Sequence, residues 1–220
     1  MKIVTHDAHF HADELLAVAA LTILYPDASI VRSREGAEIA SADIVVDVGR
    51  VYDIAARRFD HHQPGGAGIR ENGIPYAALG LVWKTFGVEL AGGIEEARQV
   101  EETLVMPIDA LDNGVSISKP IFKQVQDYTV GDYFESFERG LESMEALEKT
   151  FFEILPLARE LLKREINIAK LKVSDWQKVR KIYEDSLDKR VLVLPEAHSW
   201  KKVLISTETV FVVYPRLDGS

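Results

Sequence analysis

Short apolar runs alternate with helical patterns along the first half of the chain. Strands are predicted at three places: residues 1–5, 28–32 and 43–49. Between them, residues 13–25 carry apolar side chains at helical spacing and stop before Pro26, and residues 35–42 predict a short helix or turn. This alternation is typical of an α/β fold in which a parallel sheet carries helices on both faces.

The pattern changes after residue 118, beyond which a long helical pattern runs from Phe151 past Ile182. Pro156 should kink or restart this helix, because proline removes a backbone donor and clashes with the preceding turn. Two helices are predicted before the change, at residues 76–86 and 94–111, and three short strands after it, at residues 191–194, 203–205 and 209–214. We therefore predict three parts: a parallel-sheet domain at 1–118, a helical connector at 119–190 and a partial β-containing region at 191–220.

Composition fits a folded protein and limits the chemistry that it can carry. The 220 residues are 47% hydrophobic and include no cysteine, which excludes disulfides and thiolate metal ligands. A formal net charge of −9 disfavours strong nonspecific binding to duplex nucleic acid. The longest apolar stretch, Leu15–Leu24, is too short to span a bilayer, and Met1 begins no signal peptide pattern. We therefore expect a cytoplasmic protein without a membrane partner.

Five of the six histidines lie in two short stretches, residues 6–11 and 61–62. In the second stretch Asp60 precedes His61 and His62, so one carboxylate and two imidazoles lie close together. Imidazole is the commonest metal-binding side chain, and a carboxylate can add a ligand or fix the ring tautomer. A polar turn is the alternative interpretation of this stretch. The first stretch favours a metal site, because ligands of parallel sheets bind at the carboxyl ends of the strands.

Further carboxylates follow predicted elements. Asp47 lies near the end of the strand at 43–49, and Asp13 begins a helix, where capping is its alternative role. Asp109 and Asp112 share one helical face near the stop signal Gly114, an unfavourable place for carboxylates unless a cation is near. Imidazoles and carboxylates together suit Mn²⁺, Fe²⁺, Zn²⁺ or Mg²⁺. The set exceeds what one tetrahedral zinc needs, so it predicts two metals bridged by a shared aspartate and a water.

This order of motifs resembles the DHH phosphoesterase superfamily, which includes RecJ-type exonucleases, oligoribonucleases and family II pyrophosphatases. Within it, the chain closely resembles the Myg exonuclease family, the melanocyte-proliferating-gene type, over about its first 115 residues. The motifs that carry the resemblance are Thr5-His6-Asp7, Phe10-His11-Ala12-Asp13-Glu14, Asp47-Val48-Gly49, Phe59-Asp60-His61-His62-Gln63 and Asp109-Ala110-Leu111-Asp112-Asn113-Gly114.

The resemblance also implies roles for single residues. The metal ligands would be His6, His11, Asp13, Asp47 and His61, with Asp112 or Asp109 completing the second metal site. His62 would contact the substrate phosphate, and Asp60 would orient the histidines. Three arginines could also help to bind phosphate: Arg57, Arg58 and Arg70. The alternative interpretation is that they are solvated surface residues.

The expected function is that of a metal-dependent phosphodiesterase, a 3′–5′ exonuclease on RNA or short oligonucleotides that uses two divalent ions. Mn²⁺ is the first candidate, with Mg²⁺, Zn²⁺ and Fe²⁺ as alternatives. The alternative enzymatic function is that of a small-substrate phosphatase or pyrophosphatase. If the protein is not an enzyme, the alternative is a non-catalytic metal-binding module. A homodimer is possible.

Members of the resembled family continue beyond the strand at 210–215 into a glycine-rich segment that helps to bind substrate, whereas this sequence ends at Ser220. The alternatives are a short member of the family or a truncated sequence, and activity on long RNA depends on which one holds.

Overall fold

A five-stranded sheet is the centre of the first part of the protein in the computed structural model, which describes residues 1–216. The strands are β1 (Lys2–Thr5), β2 (Ser29–Arg32), β3 (Ile44–Val46), β4 (Tyr52–Asp53) and β5 (Arg58–Phe59). Their order in the sheet is β2-β1-β3-β5-β4. All neighbouring strands pair in parallel except β4, which pairs antiparallel with β5 at the edge. The predicted parallel α/β sheet is therefore confirmed, with one antiparallel edge strand.

Eight α-helices and a second, two-stranded sheet complete the described residues. The helices are α1 (Ala12–Leu24), α2 (Gly36–Ala40), α3 (Ala78–Ala91), α4 (Ile94–Val100), α5 (Met106–Asp112), α6 (Val130–Glu135), α7 (Met144–Asp185) and α8 (Lys201–Leu204). A π-helical turn, Glu101–Val105, joins α4 to α5. The strands of the second sheet are β6 (Val191–Val193) and β7 (Phe211–Val213), which pair in parallel. No helix within residues 1–216 combines the length and the apolar character needed to cross a bilayer.

Helices cover both faces of the large sheet because its strands are apolar on both sides. Val4 and Val45 point to one face and pack with Ile39 of α2. Successive residues of a strand point to opposite faces, so their buried neighbours Ile3 and Ile44 point to the other face. Helix α1 packs against β1 and β3, and α3 packs against β5 and along α1.

Among the described helices of the first unit, α1 is the most deeply buried. Every residue from Ala12 to Thr22 is buried, including the acidic residues Asp13 and Glu14 in its first turn. Such a helix is apolar all round, which explains why the sequence pattern shows a dense apolar run rather than a one-sided stripe. Its first turn therefore carries two carboxylates into the interior, next to the end of β1.

The chain divides into two compact units, Met1–Ile166 and Asn167–Ser220, with the division inside α7. Of the two predicted effects of Pro156, the restart is wrong, because α7 runs through Pro156 without interruption, and the kink stays a prediction. Ile154, Leu155 and Ala158 around the proline are all buried, so packing holds the helix together across the lost hydrogen bond. The division into parts at 1–118, 119–190 and 191–220 stays a prediction, and residues 217–220 lie outside the described residues.

The second unit corrects one predicted strand. Residues 203–205 do not form a strand, because Lys201–Leu204 is the short helix α8. The amides of Val203 and Leu204 both donate to the carbonyl of Trp200, which closes a helical turn. This turn places Leu204 in an apolar cluster with Leu192. An apolar run of three residues is compatible with either structure, so burial of Leu204 decides between them.

Candidate metal centre

Three neighbouring parallel strands end on chemically reactive residues. His6 follows β1, Asp47 follows β3, and His61 comes two residues after β5. The three strands lie side by side and parallel, so their carboxyl ends meet at one edge of the sheet. Residues 14 to 55 positions apart in the sequence are thereby brought to a single site.

Asp47 lies at the centre of this edge and is almost fully buried. Its Oδ2 is 3.3 Å from Nε2 of His6, and its Oδ1 is 3.3 Å from Nε2 of His61 and 3.3 Å from Nδ1 of His62. Its backbone φ is 54°, in the left-handed region that residues other than glycine rarely adopt. Strain of this kind, of order 1–3 kcal/mol, persists where the surroundings hold a functional residue in place. The two oxygens of Asp47 thus face different imidazoles.

Helix ends supply a second set of groups. His11 is the residue before α1, Asp13 lies in its first turn, and Asp112 is the last residue of α5. One ligand atom from each of these three lies within 4.8 Å of the others. Oδ2 of Asp112 is also 3.2 Å from Nε2 of His61, which links this set to the strand-end residues.

Glu14 is a member of the site that the sequence analysis missed. It is fully buried, and its Oε2 contacts Nε2 of His6. Thr5 Oγ1 donates to Oε1 of Glu14 over 3.4 Å, and Nη2 of Arg32 is 3.8 Å from the same oxygen. Glu14, His6 and Asp47 form a third group with metal-ligand spacing. The sequence gives little signal for Glu14, because acidic residues are common in the first turn of any helix.

The carboxylates and imidazoles of the site shift one another's pKa. Burial alone would lower the pKa of His6, but Asp47 and Glu14 outweigh it and raise the value to about 10. Burial would likewise raise the pKa of Asp47, but His6 and His61 contribute to holding it well below its usual value. Burial raises the pKa of Asp13 well above its usual value, and the charges of Asp47 and Asp112 act in the same direction. The site therefore concentrates negative charge that imidazoles only partly balance.

The donor atoms fit divalent cations. Four buried atoms of the site make no hydrogen bond within the described residues: Oδ1 of Asp13, Oε2 of Glu14, Oδ1 of Asp47 and Nε2 of His61. A buried polar atom without a partner costs about 1–3 kcal/mol, which a bound cation would offset. Imidazole nitrogens and carboxylate oxygens without thiolates suit Mn²⁺, Fe²⁺, Zn²⁺ or Mg²⁺. The protein therefore has histidine and acidic clusters that could bind metal ions.

Asp60 supports His62 beside these groups. Its Oδ1 lies 2.9 Å from Nδ1 of His62 and accepts the His62 amide over 2.9 Å. Its Oδ2 accepts the amide of Arg50. Asp47 is the largest contributor to the raised pKa of His62, about 9. The His62 side chain is about half exposed, so its other ring nitrogen remains accessible.

The remaining predicted residues lie elsewhere. Asp109 is fully buried; Nη2 of Arg70 is 2.7 Å from its Oδ2, and the Gly80 amide donates to its Oδ1 over 2.9 Å. Burial raises the pKa of Asp109 to about 7, against the opposing effect of Arg70. Within residues 1–216, Asp109 joins none of the three groups with metal-ligand spacing. Arg57 is exposed, and Arg58 donates to the carbonyls of Ala42 and Ala56.

Two other arginines line the cleft in front of the site. This cleft, which we call the arginine cleft, encloses about 370 Å³ between His6, Asp47 and His62 on one side and Arg34 and Arg50 on the other. Nε of Arg34 is 3.2 Å from Asp7 Oδ1, and both arginines are exposed. Sequence analysis missed them because a single arginine in a loop carries no pattern.

A model of the MYG1 exonuclease family, described as "Uncharacterised protein family (UPF0160)", matches residues 2–217. The chain belongs to the MYG1 exonuclease family. This confirms the predicted family.

Relatives from distant organisms share different extents of the chain. Human MYG1 exonuclease is 40% identical over 135 residues, which are 52% of this chain and 36% of the human protein. The MYG1 protein of Dictyostelium discoideum is 28% identical over an alignment of 235 residues, gaps included, which covers 94% of this chain and 70% of that protein. The MYG1 protein of Chlamydia muridarum is 34% identical over 162 residues, 73% of this chain and 52% of that protein. No solved structure matches the chain.

Proposed function

We propose that this MYG1 family chain is a metal-dependent phosphodiesterase that acts as a 3′–5′ exonuclease on RNA or short oligonucleotides. The observation that carries the proposal is the position of Asp47, whose two oxygens face different imidazoles at the carboxyl edge of the parallel sheet. The exonuclease name of the relatives supports a nucleic acid substrate. The preference for RNA and the 3′–5′ direction come from the resemblance of the motifs.

Six residues would hold two divalent cations: His6, His11, Asp13, Asp47, His61 and Asp112. Asp47 would be shared between the cations, and Glu14 would either add an oxygen or hold His6 in place. Two such cations supply a water of lowered pKa and positive charge for the attacking and leaving oxygens at phosphorus. We take Mn²⁺ as the first candidate and Mg²⁺, Zn²⁺ and Fe²⁺ as alternatives.

The chain's own residues would position the substrate phosphate. Oδ1 of Asp60 accepts the backbone amide of His62 and contacts its ring Nδ1, both over 2.9 Å, which leaves the second ring nitrogen of His62 to donate to a phosphate oxygen. Arg34 and Arg50 face the same cleft, where guanidinium groups can pair with phosphate oxygens. We therefore favour Arg34 and Arg50 over Arg57, Arg58 and Arg70 as phosphate ligands.

The experiment that tests the proposal uses one oligoribonucleotide labelled at either end. With Mn²⁺, the 5′-labelled strand should shorten as a ladder while the 3′-labelled strand releases a labelled mononucleotide at once, and a chelator should stop both reactions. The reverse pattern would contradict the direction. If the protein hydrolyses only pyrophosphate or a small ester, the result supports a small-substrate phosphatase instead of an exonuclease. Metal binding without hydrolysis of any phosphoester would leave a non-catalytic module.

A variant links the activity to the site. His61→Ala should abolish turnover while the thermal unfolding temperature stays within a few degrees, because His61 lies on a loop after β5 and makes no hydrogen bond through Nε2 within the described residues. Loss of the fold in this variant would point to a packing role for His61 instead.

A further inference from the structure

A second cleft opens on the other side of the site. It encloses about 680 Å³ and is lined by the end of α5, the segment 115–129 and the start of α6. Its walls include Asp13 and Asp112, so it leads directly to the candidate metal ligands. A volume of this size is in the range of small-molecule sites. We call it the base cleft.

The walls of the base cleft away from the ligands are apolar. Leu104, Ile108, Leu111 and Ile117 line it, and Tyr128 adds an aromatic ring that is 71% exposed. Apolar groups beside an exposed aromatic side chain suit a flat ring that can stack. Stacking of a nucleobase on an aromatic side chain contributes about 1–3 kcal/mol per base.

Charge distinguishes the base cleft from the arginine cleft. Among the described residues that line the base cleft, none is lysine or arginine, and the acidic ones include Asp132 and Glu135. A phosphate would be repelled there, whereas a neutral nucleobase would not be. The arginine cleft carries Arg34 and Arg50, and His11 lines both clefts. The candidate metal centre therefore has an anion-binding side, the arginine cleft, and an apolar side, the base cleft.

We propose that the base cleft binds the nucleobase of the terminal nucleotide while the arginine cleft binds the phosphates that precede it. This assignment rests on the phosphodiesterase function proposed above and adds the part of the substrate that lies beyond the reacting phosphorus. It places the scissile bond at the residues between the clefts, next to His11. Recognition through stacking tolerates different bases, so the cleft selects for the presence of a base rather than for its identity.

A binding experiment tests the assignment without relying on turnover. Adenosine 5′-monophosphate and ribose 5-phosphate, each titrated calorimetrically with Mn²⁺ present, differ only in the base. The wild type should bind the nucleotide more tightly, and Tyr128→Ala should weaken that binding by about 5- to 150-fold, the equivalent of one lost stacking contact. Binding of ribose 5-phosphate should change less than twofold.

Two further variants separate stacking from a general effect on the fold. Phe122→Ala is the matched control, because Phe122 is 72% exposed on the same segment and does not line the cleft. It should leave both probes unaffected. Ile117→Asp, at a residue that is 53% exposed, should weaken binding of the nucleotide only. Equal or undetectable binding of the two probes to the wild type overturns the assignment, as does equal behaviour of Tyr128→Ala and Phe122→Ala.

A kinetic comparison keeps this proposal distinct from the proposed function. An oligoribonucleotide with an ordinary 3′ terminus should be cleaved faster than one with an abasic 3′ ribose. Tyr128→Ala should remove most of this difference by raising the KM for the ordinary strand. Hydrolysis of both strands at equal rates rejects the base cleft and leaves the exonuclease intact. The protein could instead hydrolyse neither strand but still bind adenosine 5′-monophosphate more tightly than ribose 5-phosphate. If Tyr128→Ala abolishes that difference in affinity, the result supports the base cleft and rejects the exonuclease.

Discussion

Asp109 and Asp112 lie one helical turn apart on α5, yet their surroundings are opposite in kind. Asp109 is fully buried against a guanidinium, with Arg70 Nη2 at 2.7 Å. Asp112 is slightly exposed and faces His61 at 3.2 Å, in a group with His11 and Asp13. The charge of Asp109 is therefore balanced by a guanidinium of the chain itself. Asp112 lies beside another carboxylate and has no such partner within the group.

The comparison teaches that a metal-ligating carboxylate differs from a structural one in its neighbours, which do not supply a positively charged side chain. Gly80 shows how closely the Asp109 side is packed, because a Cβ at that position would lie 1.8 Å from Oδ2 of Asp109. The chain therefore packs closely around Asp109, and Arg70 supplies the opposite charge. Oδ2 of Asp109 and Nη2 of Arg70 make no hydrogen bond within residues 1–216, but they face each other as an ion pair at 2.7 Å. Around Asp112, Asp13 and His61 also keep buried atoms without a hydrogen bond, and no lysine or arginine of the described residues pairs with Asp13 or Asp112 in an ion pair. We therefore expect a divalent cation to stabilise the arrangement around Asp112 rather than the one around Asp109.

Replacement of Asp112 should have the largest effect. Asp112→Asn keeps the shape and removes one charge, so we expect turnover to fall by at least about 10³-fold, at or beyond the upper range for a single lost electrostatic contact. The free energy of unfolding without added metal should stay the same or rise, because like charges around Asp13 are reduced. Initial rates and thermal melts with and without Mn²⁺ measure both quantities. Unchanged turnover would move the ligand role away from Asp112.

Loss of Arg70 should act on stability instead. Arg70→Met leaves Asp109 buried without its cation, which should lower the free energy of unfolding by about 3 kcal/mol. The pKa of Asp109 is about 7 and would rise further in the variant, so the difference from wild type should be larger at pH 8 than at pH 5, where the carboxyl is protonated in both. Denaturant unfolding at the two pH values measures it.

A paired variant controls for lost volume. Arg70→Met combined with Asp109→Leu should recover most of the lost stability, since no unpaired charge stays buried. A weaker affinity for oligonucleotide with unchanged stability would instead identify Arg70 as a phosphate ligand, as the sequence first suggested.

Glu14 should behave like Asp112 rather than like Asp109. Because Glu14 contacts the nitrogen of His6 that faces Asp47, Glu14→Gln should lower the Mn²⁺ affinity by about 10- to 100-fold. Calorimetric titration of Mn²⁺ into wild type and variant gives the ratio. An unchanged affinity with lower stability would place Glu14 with Asp109, as a carboxylate held by Arg32.

Arginine replacements should have the smallest effects, and a matched pair sharpens them. Arg50 and Arg57 are both exposed and both have left-handed backbones, with φ of 56° and 53°. Arg50→Ala should raise KM for an oligonucleotide and reduce the salt dependence of binding by about one ion. Arg57→Ala should change neither, and its stability should stay within about 0.5 kcal/mol. Equal effects of the two variants would remove the arginine cleft from substrate binding.

The sequence predicts the sheet and the outline of the site because the signals for both are local. Apolar runs end on His6 and Asp47, and parallel strands necessarily bring those ends together. The choice between Asp109 and Asp112 was not local, since it depends on Arg70, a residue 39 positions away in sequence. Glu14 was missed for a similar reason: its role follows from complete burial against His6 rather than from its place in a helix.

Small elements show the same limit. The two-residue strand β4 has no periodicity to detect, and the apolar residues 203–205 fit a strand as well as the helical turn that they form. The native metal, the compartment and a homodimer stay predictions.

The π-helical turn before α5 bears on how the chain can change in length. In this turn the amide of Met106 donates to the carbonyl of Glu101, five residues earlier, so the turn takes up one residue more than an α-helical turn. Deleting one residue within 101–105 would restore regular winding and keep Asp112 in register with His61. The same deletion after Met106 would rotate Asp112 by about 100° around the helix axis. We therefore expect residues 101–105 to tolerate the deletion of one residue and α5 not to tolerate it.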